Sequence, residues 1–208
     1  MLYFNCLAFA ALAYLLGGVN GAIILSRLVY GEDIRTLGSK NPGFTNFKRL
    51  HGFAPATFGV MAIDICKTIL PVLIARLVMQ HTYGVGQLAA AAALLGCMLG
   101  HAFPVWYNFK GGKAVMTFLA GVWFVDWRAG LICFAIFVII LFTIRFMSVA
   151  SMSFAVLFPI VLFILGCRNV VTLIIMAAAG ILVVARHHQN ISRLKAGTES
   201  KFYLKKKK

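Results

Sequence analysis

Seven apolar stretches, separated by short polar segments, occupy most of this chain of 208 residues. They cover residues 2–25, 54–79, 85–106, 114–125, 129–146, 149–166 and 170–185. A helix of about 20 apolar residues crosses the hydrocarbon core of a membrane. Since 62% of the residues are hydrophobic and only 12% are charged, there is no room for a separate soluble domain. The sequence predicts an all-α polytopic membrane protein with seven transmembrane helices, forming a single domain over residues 1–208.

Two of the stretches differ from an ordinary span. The fourth has only twelve residues, which is too short for a full crossing at about 1.5 Å per residue. It must be tilted, extended by its flanks, or re-entrant against protein. The first begins at Leu2 with no basic residue before it, so we expect a retained first helix and not a signal peptide.

The basic residues are concentrated in alternate connections. Residues 27–53, 108–113, 145–148 and 186–208 contain five, two, one and eight Lys or Arg residues. The intervening turns contain Arg76, Arg128 and Arg168. By the positive-inside rule the N-terminus lies outside and the C-terminus lies in the cytoplasm. The terminal lysine run is expected to hold the tail against anionic lipid.

The net charge of +15 also suits an anion-binding site. Loops held inside the cell are where a phosphate-bearing substrate would meet a membrane enzyme. Nucleic acid is not expected as a partner, because no soluble domain is present to offer a surface.

The first inner segment, residues 37–52, reads LGSKNPGFTNFKRLHG. Glycine and proline allow a tight, non-helical path on which backbone N–H groups can converge on an anion. An ordinary polar turn is the alternative, because turns are built from the same residue types. The polar and glycine residues of interest are Ser39, Asn41, Gly43, Thr45, Asn46 and Arg49.

The second segment, residues 100–117, reads GHAFPVWYNFKGGKAVMT. Gly111, Gly112 and Lys113 lead into a helix N-terminus, where close backbone approach, the positive end of the helix dipole and a lysine charge favour phosphate. The Walker pattern cannot be aligned with these residues. We expect His101 to be a hydrogen-bonded polar group at a helix end in preference to a catalytic residue.

The third segment, residues 187–202, reads HHQNISRLKAGTESKF. In a continuing helix, His187, Asn190 and Arg193 would share one face, with Glu199 further along. Amphipathic helices are common next to membrane spans, so this pattern alone is a weak signal.

Asp64 and Lys67 lie three residues apart inside the second apolar stretch. Charges at such positions cost about 2.5–3.5 kcal/mol each on insertion and by default mark a functional or water-filled region. An ion pair that only packs helices together is the alternative.

The residues that several other kinds of chemistry require are absent from the sequence. The five cysteines form no CxxC motif, and no His or acid stands at metal-ligand spacing from them, so neither a metal nor another cofactor is expected. There are no paired carboxylates for metal-dependent phosphoryl transfer, and GxSxG is absent.

The three segments and the Asp-Ile-Cys-Lys run at 64–67 resemble the motifs of the bacterial acyl-phosphate:glycerol-3-phosphate acyltransferases, the PlsY family. The resemblance covers nearly the whole chain in order, spacing and topology. It implies a seven-helix enzyme of the bacterial inner membrane with a cytoplasmic active site, acting in phospholipid biosynthesis. The implied reaction transfers a fatty acyl group from acyl phosphate to the 1-hydroxyl of glycerol 3-phosphate, giving lysophosphatidic acid and phosphate. A phosphate acyltransferase that supplies the acyl phosphate is the implied partner.

The resemblance also implies roles for individual residues. Catalytic roles fall to His187 and Asn190, which would orient the hydroxyl or carbonyl, and to Glu199, which would orient basic neighbours. Ser39 and Arg49 complete this catalytic set and also contact phosphate. The remaining phosphate-binding residues would be Asn41, Gly43, Thr45, Asn46, Lys67, Gly111, Gly112, Lys113 and Arg193.

The chain departs from the family pattern at four positions. Lys40 and Phe44 replace small residues, Thr68 replaces a glycine, and Ala114 replaces the third glycine of the glycine-rich motif. The Cβ of Ala114 could crowd a bound phosphate, although helical backbone angles would tolerate it.

Two other functions are compatible with the residues, namely a transporter of an anionic or phosphorylated solute and a noncatalytic assembly factor. No paired discontinuous segments recur in the two halves, which disfavours the transporter. A thioester-using acyltransferase is disfavoured because none of the five histidines has Asp five positions later.

Overall fold

The computed structural model describes residues 1–203, and the terminal lysines lie outside that range. Its regular elements are ten α-helices and one 3₁₀ helix, with no β-strand over those residues. The chain divides into two compact units, the first being Met1–Val125 and the second beginning at Asp126. The prediction of an all-α protein is confirmed.

The first unit contains six of the α-helices. They are α1 (Leu2–Gly17), α2 (Gly21–Tyr30), α3 (Phe44–His51), α4 (Pro55–Tyr83), α5 (Gly86–Ala102) and α6 (Val115–Val125), with the 3₁₀ helix at Val105–Tyr107 after α5. The second unit contains the other four. They are α7 (Trp127–Ile144), α8 (Met147–Ile164), α9 (Val170–Arg186) and α10 (His188–Lys195).

The first apolar stretch is broken in the middle, where one continuous helix was predicted. The side chain of Asn20 accepts a hydrogen bond from the Ile23 backbone N–H (3.0 Å) and so starts a new helix, α2. An asparagine that caps a helix in this way takes non-helical backbone angles. The break leaves the Val19 carbonyl outside the helical ladder, and the Lys67 ammonium donates to it.

Helices α1 and α5 pack backbone against backbone. A Cβ added to Gly17 would lie 2.2 Å from the Cys97 carbonyl oxygen, and one added to Gly100 would lie 2.0 Å from that of Tyr14. Only glycine permits this approach.

Five helical segments are long and apolar enough to cross a membrane, on length and composition. They are Leu2–Tyr30, Pro55–Tyr83, Gly86–Tyr107, Trp127–Ile144 and Met147–Ile164. Helices α9 and α10, bent by 55° at their junction, would together make a sixth. The predicted polytopic membrane fold is confirmed, whereas α6 is too short to satisfy the same criteria.

The short helix α6 has capped carbonyls at its C-terminal end. The Arg76 guanidinium donates to the carbonyls of Phe124 and Val125, and the Gln87 side chain also donates to Val125 (3.3 Å). Last-turn carbonyls have no partner within their own helix, so these side chains supply the missing hydrogen bonds.

The helix expected to continue through the third polar segment does not do so. Helix α9 ends at Arg186, and α10 starts a new direction at His188. His187 occupies the junction, with its ring Nδ1 2.7 Å from the Val183 carbonyl of the preceding helix. The shared face of residues 187, 190 and 193 was predicted only for a continuing helix. Here Asn190 and Arg193 lie on α10, and His187 lies at the junction.

Candidate functional site

The first polar segment is a loop that is held in place by hydrogen bonds to one buried asparagine. The Asn46 side chain accepts from the Ser39 N–H (2.9 Å) and donates to the Leu37 carbonyl (3.0 Å). Asn46 is 1% exposed, so the loop is tied to the core of the first unit. An asparagine engaged in this way fixes the path of residues 37–39, and its direct contact with phosphate stays a prediction.

An apolar cluster lies under the same loop. Its buried members are Ala22, Ile23, Ile34, Phe47 and Val60. Phe44 packs against this cluster, which gives the larger residue at that position an apolar contact surface. The departure at Phe44 thus has a packing explanation.

Helix α3 opens directly from this loop and leaves its first turn available. Gly43 is the N-cap residue, and no side chain caps the helix. The N–H groups of a first turn have no partner within the helix, and the dipole makes that end positive. Thr45 and Arg49 are both exposed and stand one turn apart, so the cation lies on the same face as a hydroxyl.

Gly111 and Gly112 of the second segment lie so close to neighbouring atoms that a side chain would not fit at either position. A Cβ at Gly111 would lie 2.1 Å from the His101 carbonyl oxygen. One at Gly112 would lie 2.3 Å from His101 Nε2 and 2.9 Å from the Pro42 carbonyl oxygen. The Gly112 N–H donates to the His101 carbonyl (3.0 Å). The first and second predicted segments therefore meet at Pro42 and Gly112.

Helix α6 begins at Val115, and Lys113 and Ala114 lie between it and Gly112. Lys113 is partly buried, and Ala114 is fully buried with φ +58°. The helical backbone angles expected to accommodate Ala114 are not observed, and its φ lies in the left-handed region that favours glycine. Lys40, at φ +59°, also lies in the left-handed region. A positive φ explains why glycine suits both positions.

The charged pair of the second apolar stretch is a buried cluster. Lys67 Nζ lies 2.7 Å from Asp64 Oδ1, 2.7 Å from the Val19 carbonyl oxygen and 2.9 Å from His101 Nδ1. An ammonium has three donors, and three acceptors surround this one. Direct phosphate binding by Lys67 stays a prediction and would require the exchange of one of these contacts. His101 is a buried, hydrogen-bonded group, as the sequence predicted.

In the second unit, the third segment folds around one carboxylate. Glu199 accepts from Asn190 Nδ2 (2.6 Å), Arg193 Nε (2.7 Å) and Ser148 Oγ (2.8 Å). Burial opposes ionisation of this carboxyl, but the hydrogen bonds from Asn190, Arg193 and Ser148 and the charge of Arg193 outweigh it and hold the pKa of Glu199 below its ordinary value. Glu199 therefore contacts the basic Arg193, and its role in orienting that residue for catalysis stays a prediction.

The same segment is joined to the turn between α7 and α8. The Phe202 N–H donates to the Arg145 carbonyl (2.6 Å), next to the contact between Ser148 and Glu199. Ser148 is 3% exposed and belongs to this set, yet the sequence reasoning did not single it out. Its only signal was a place in the short inner turn 145–148.

His187 has a defined tautomer if it is neutral. A carbonyl oxygen can only accept, so the ring Nδ1 next to Val183 carries the proton. Nε2 is then the basic nitrogen, which can accept a hydrogen bond from a hydroxyl. This is the nitrogen that an orienting role would use.

The structure brings the predicted residues together in two groups. The first unit joins the segments at 37–52 and 100–117, and the second unit joins the segment at 187–202 to the turn before α8. Thr117, in the first turn of α6, was missed, and its fully buried hydroxyl has no hydrogen-bond partner in the part of the chain that is described. Over the same residues, no three His, Cys, Asp or Glu side chains form a group able to hold a metal ion.

Known proteins share this sequence and this fold. The glycerol-3-phosphate acyltransferase family matches residues 7–197. A glycerol-3-phosphate acyltransferase of Mesorhizobium japonicum is 38% identical over 190 residues, which cover 90% of this chain and 91% of that protein. One from Coxiella burnetii is 37% identical over 193 residues, covering 93% and 96%.

A crystal structure of PlsY (YgiH), an integral membrane glycerol 3-phosphate acyltransferase, in its glycerol 3-phosphate form has a TM-score of 0.83 at 32% identity and covers 95% of this chain and 96% of that chain. The lysophosphatidic acid form of PlsY gives 0.78, at the same identity, covering 95% of each chain. These similarities favour an enzyme over the transporter and the assembly factor that the sequence alone left open. The chain belongs to the glycerol-3-phosphate acyltransferase family, whose enzymes act in phospholipid biosynthesis.

Proposed function

We propose that this enzyme transfers a fatty acyl group from acyl phosphate to the 1-hydroxyl of sn-glycerol 3-phosphate, giving lysophosphatidic acid and inorganic phosphate. The observation that carries the proposal is the contact of Gly112 with Pro42. It places the loop before α3 against the loop before α6, within the fold of a family named for glycerol 3-phosphate. The solved PlsY forms, with glycerol 3-phosphate and with lysophosphatidic acid, support both the acceptor and the product.

The two loops have the physical properties of a phosphate site. Helices α3 and α6 both begin there, so two positive dipole ends face the region where the loops meet. Arg49 and Lys113 add full charges. We propose that the remaining contacts come from Ser39, Asn41, Gly43, Thr45, Asn46, Lys67, Gly111 and Gly112, and Arg193 is proposed as a further phosphate contact.

The proposed chemistry needs no cofactor. The 1-hydroxyl oxygen forms a bond to the acyl carbonyl carbon, the bond from that carbon to the phosphate oxygen breaks, and the electron pair leaves with the phosphate. A phosphate with a second pKa of about 6 can accept the hydroxyl proton. We assign His187 Nε2 and Asn190 to orienting the hydroxyl, and Glu199 to holding Asn190 and Arg193. Placing two anionic substrates in register and stabilising charge on the carbonyl are then the main tasks.

We further propose seven membrane crossings, with the N-terminus outside and the C-terminus in the cytoplasm of a bacterial inner membrane. Asn5 contacts Tyr83 (3.1 Å), which places the start of α1 and the end of α4 on one side. Predicted inner segments contact each other at Pro42 and Gly112 in the first unit and at Ser148 and Glu199 in the second. Irregular backbone is tolerated at membrane depth when protein buries it, and Gly111, Gly112 and Ala114 are buried, so residues 110–125 can form the short fourth crossing.

The proposal also covers the organisation of the chain and its supply of substrate. We propose that residues 1–208 form one catalytic domain, because the family match extends over residues 7–197. Acyl phosphate hydrolyses readily, so another enzyme must supply it. That enzyme would either phosphorylate a fatty acid or transfer an acyl group to phosphate. A phosphate acyltransferase fits that requirement.

The test is formation of lysophosphatidic acid by purified protein in lipid vesicles. Labelled glycerol 3-phosphate is supplied with either palmitoyl phosphate or palmitoyl-CoA. We expect product from palmitoyl phosphate alone and its loss in Arg49→Ala, while Arg168→Ala serves as the matched control. Product from palmitoyl-CoA alone, or from neither donor with folded protein, would overturn the proposed donor.

A further inference from the structure

The buried cluster around Lys67 determines which nitrogen of His101 carries a proton. Lys67 donates to the Val19 carbonyl, and its Nζ lies 2.7 Å from Asp64 Oδ1, which is the geometry of an ammonium–carboxylate ion pair. An ammonium can only donate, and it lies 2.9 Å from His101 Nδ1. Nδ1 must therefore be the bare acceptor nitrogen, and Nε2 carries the hydrogen.

The protonated side of the ring faces the glycine-rich loop. Nε2 would lie 2.3 Å from a Cβ on Gly112, and the Pro42 carbonyl oxygen would lie 2.9 Å from the same point. The backbone of His101 binds there too, through its carbonyl and the Gly112 N–H (3.0 Å). One residue thus holds Gly112 by its backbone and confines it by its ring.

Pro42 is fixed from another direction. Asn20 donates to the Pro42 carbonyl (3.2 Å), while its own carbonyl oxygen caps α2. Asn20 and Val19 are neighbours at the break between α1 and α2, and Val19 accepts from Lys67. Polar contacts of Lys67 with Val19 and His101, together with the covalent chain at Val19–Asn20 and within His101, therefore connect the buried ion pair to both loops.

We propose that His101 is a positioning residue whose tautomer, set by Lys67, aligns the Gly112–Lys113 backbone for the phosphate of the acyl donor. This inference rests on the proposed function of the two loops. Asp64 holds Lys67 in place through their ion pair, and Lys67 acts on the donor site through His101. This contribution through His101 is separate from the phosphate contact proposed above for Lys67.

Two substitutions separate the two sides of the ring. The side-chain amide of asparagine reaches the place of Nδ1, so His101→Asn keeps an acceptor for Lys67 and loses the group facing the loop. The amide of glutamine reaches the place of Nε2, so His101→Gln does the reverse. We expect His101→Asn to fold normally and to raise KM for palmitoyl phosphate about tenfold, with KM for glycerol 3-phosphate unchanged. His101→Gln is expected to keep a near-normal KM in whatever fraction folds, and exposed His81→Asn is the matched control with unchanged kinetics.

Nitrogen-15 spectra of the ¹⁵N-histidine-labelled protein in bilayers test the tautomer without any substrate. The His101 signal, assigned by its loss in His101→Asn, should show a protonated Nε2 and a bare Nδ1. In Asp64→Asn/Lys67→Met, which removes the pair without leaving a lone charge, the other tautomer should appear.

An Nδ1-protonated His101 in active wild-type enzyme, or a folded His101→Asn enzyme with unchanged KM, would overturn the inference alone. Absence of acyl-phosphate-dependent turnover in a wild-type protein that shows the expected tautomer would instead overturn the proposed function.

Discussion

Ser148 donates a hydrogen bond of 2.8 Å to Glu199, fifty-one residues later in the chain. That contact ties the first turn of α8 to the segment after α10, and the same carboxylate also holds Asn190 and Arg193. Three donors around one partly buried acid form a network in which the loss of the charge affects every member.

We expect Glu199→Gln to lower activity at least tenfold and to destabilise the fold by about 1–2 kcal/mol at pH 7, because an amide cannot accept from all three donors. The folded pKa of Glu199 lies below its ordinary value of 4.5. Its stabilising contribution is therefore present above about pH 4.5 and is lost as the pH falls through the lower folded pKa. Thermal unfolding in detergent should show a Tm difference between wild type and variant at pH 7 that shrinks on acidification.

Exposed Lys195 on α10 provides the control, and Lys195→Gln should leave Tm and activity unchanged. An undiminished Tm difference at low pH would show that the charge of Glu199 is not what stabilises this segment.

We expect Gly112→Ala to reduce kcat/KM for palmitoyl phosphate about 100-fold, because displacement of a substrate-positioning group by about 1 Å has effects of that size. The added Cβ would meet His101 Nε2 at 2.3 Å and the Pro42 carbonyl at 2.9 Å, so the loop must move. Steady-state kinetics in lipid vesicles measure the effect.

Gly84 is the matched control, since nothing lies within 4 Å of its position and its φ is +69°. Gly84→Ala should cost about 1 kcal/mol of stability through backbone strain alone and leave kcat/KM unchanged. Equal kinetics for the Gly112 and Gly84 variants would mean that the contact at Pro42 is not used in catalysis.

The sequence predicted the membrane class better than it predicted the local geometry. Apolar length alone identified the long spans, since lipid demands continuous helices. The break at Asn20 was hidden, because a single capping asparagine inside an apolar run changes neither hydropathy nor length. The change of helix direction at His187 could not be predicted either, because polar residues with helical spacing continue in the sequence beyond it.

The partners of the buried polar residues could not be predicted from the sequence either. Asp64 and Lys67 could be paired by their spacing of three residues. The other two members come from elsewhere, His101 from α5 and the Val19 carbonyl from the break between α1 and α2. Ser148 was invisible for the same reason, because its partner is fifty-one residues away. Residue types indicate which chemical groups are present. Contacts between distant parts of the chain decide which of those groups already have a hydrogen-bond or ionic partner.

We expect Ala114→Gly to stabilise the protein by about 1 kcal/mol, because an L-residue at φ +58° bears a strain that glycine does not. Activity should be equal to or above that of wild type, since the removal of a Cβ also removes any crowding of the phosphate. Tm and KM for palmitoyl phosphate are the measurements.

Lys40→Gly, at φ +59° on the exposed loop, should give a gain of similar size and serves as a second instance. Ala120→Gly, inside α6, is the opposite control and should destabilise by about 1 kcal/mol. A loss of stability in Ala114→Gly would show that this backbone does not adopt the left-handed region.

We expect Thr117→Val to raise stability by about 1 kcal/mol, because it removes a buried hydroxyl that has no partner within residues 1–203. Thr57 offers a matched comparison in the same unit, since it is equally buried but its hydroxyl donates to the Gly52 carbonyl (2.9 Å). Thr57→Val should therefore be destabilising by about 1–2 kcal/mol. Denaturation of both variants without substrate would show opposite signs, and a destabilised Thr117→Val would mean that its hydroxyl is satisfied in the membrane, for example by an ordered water.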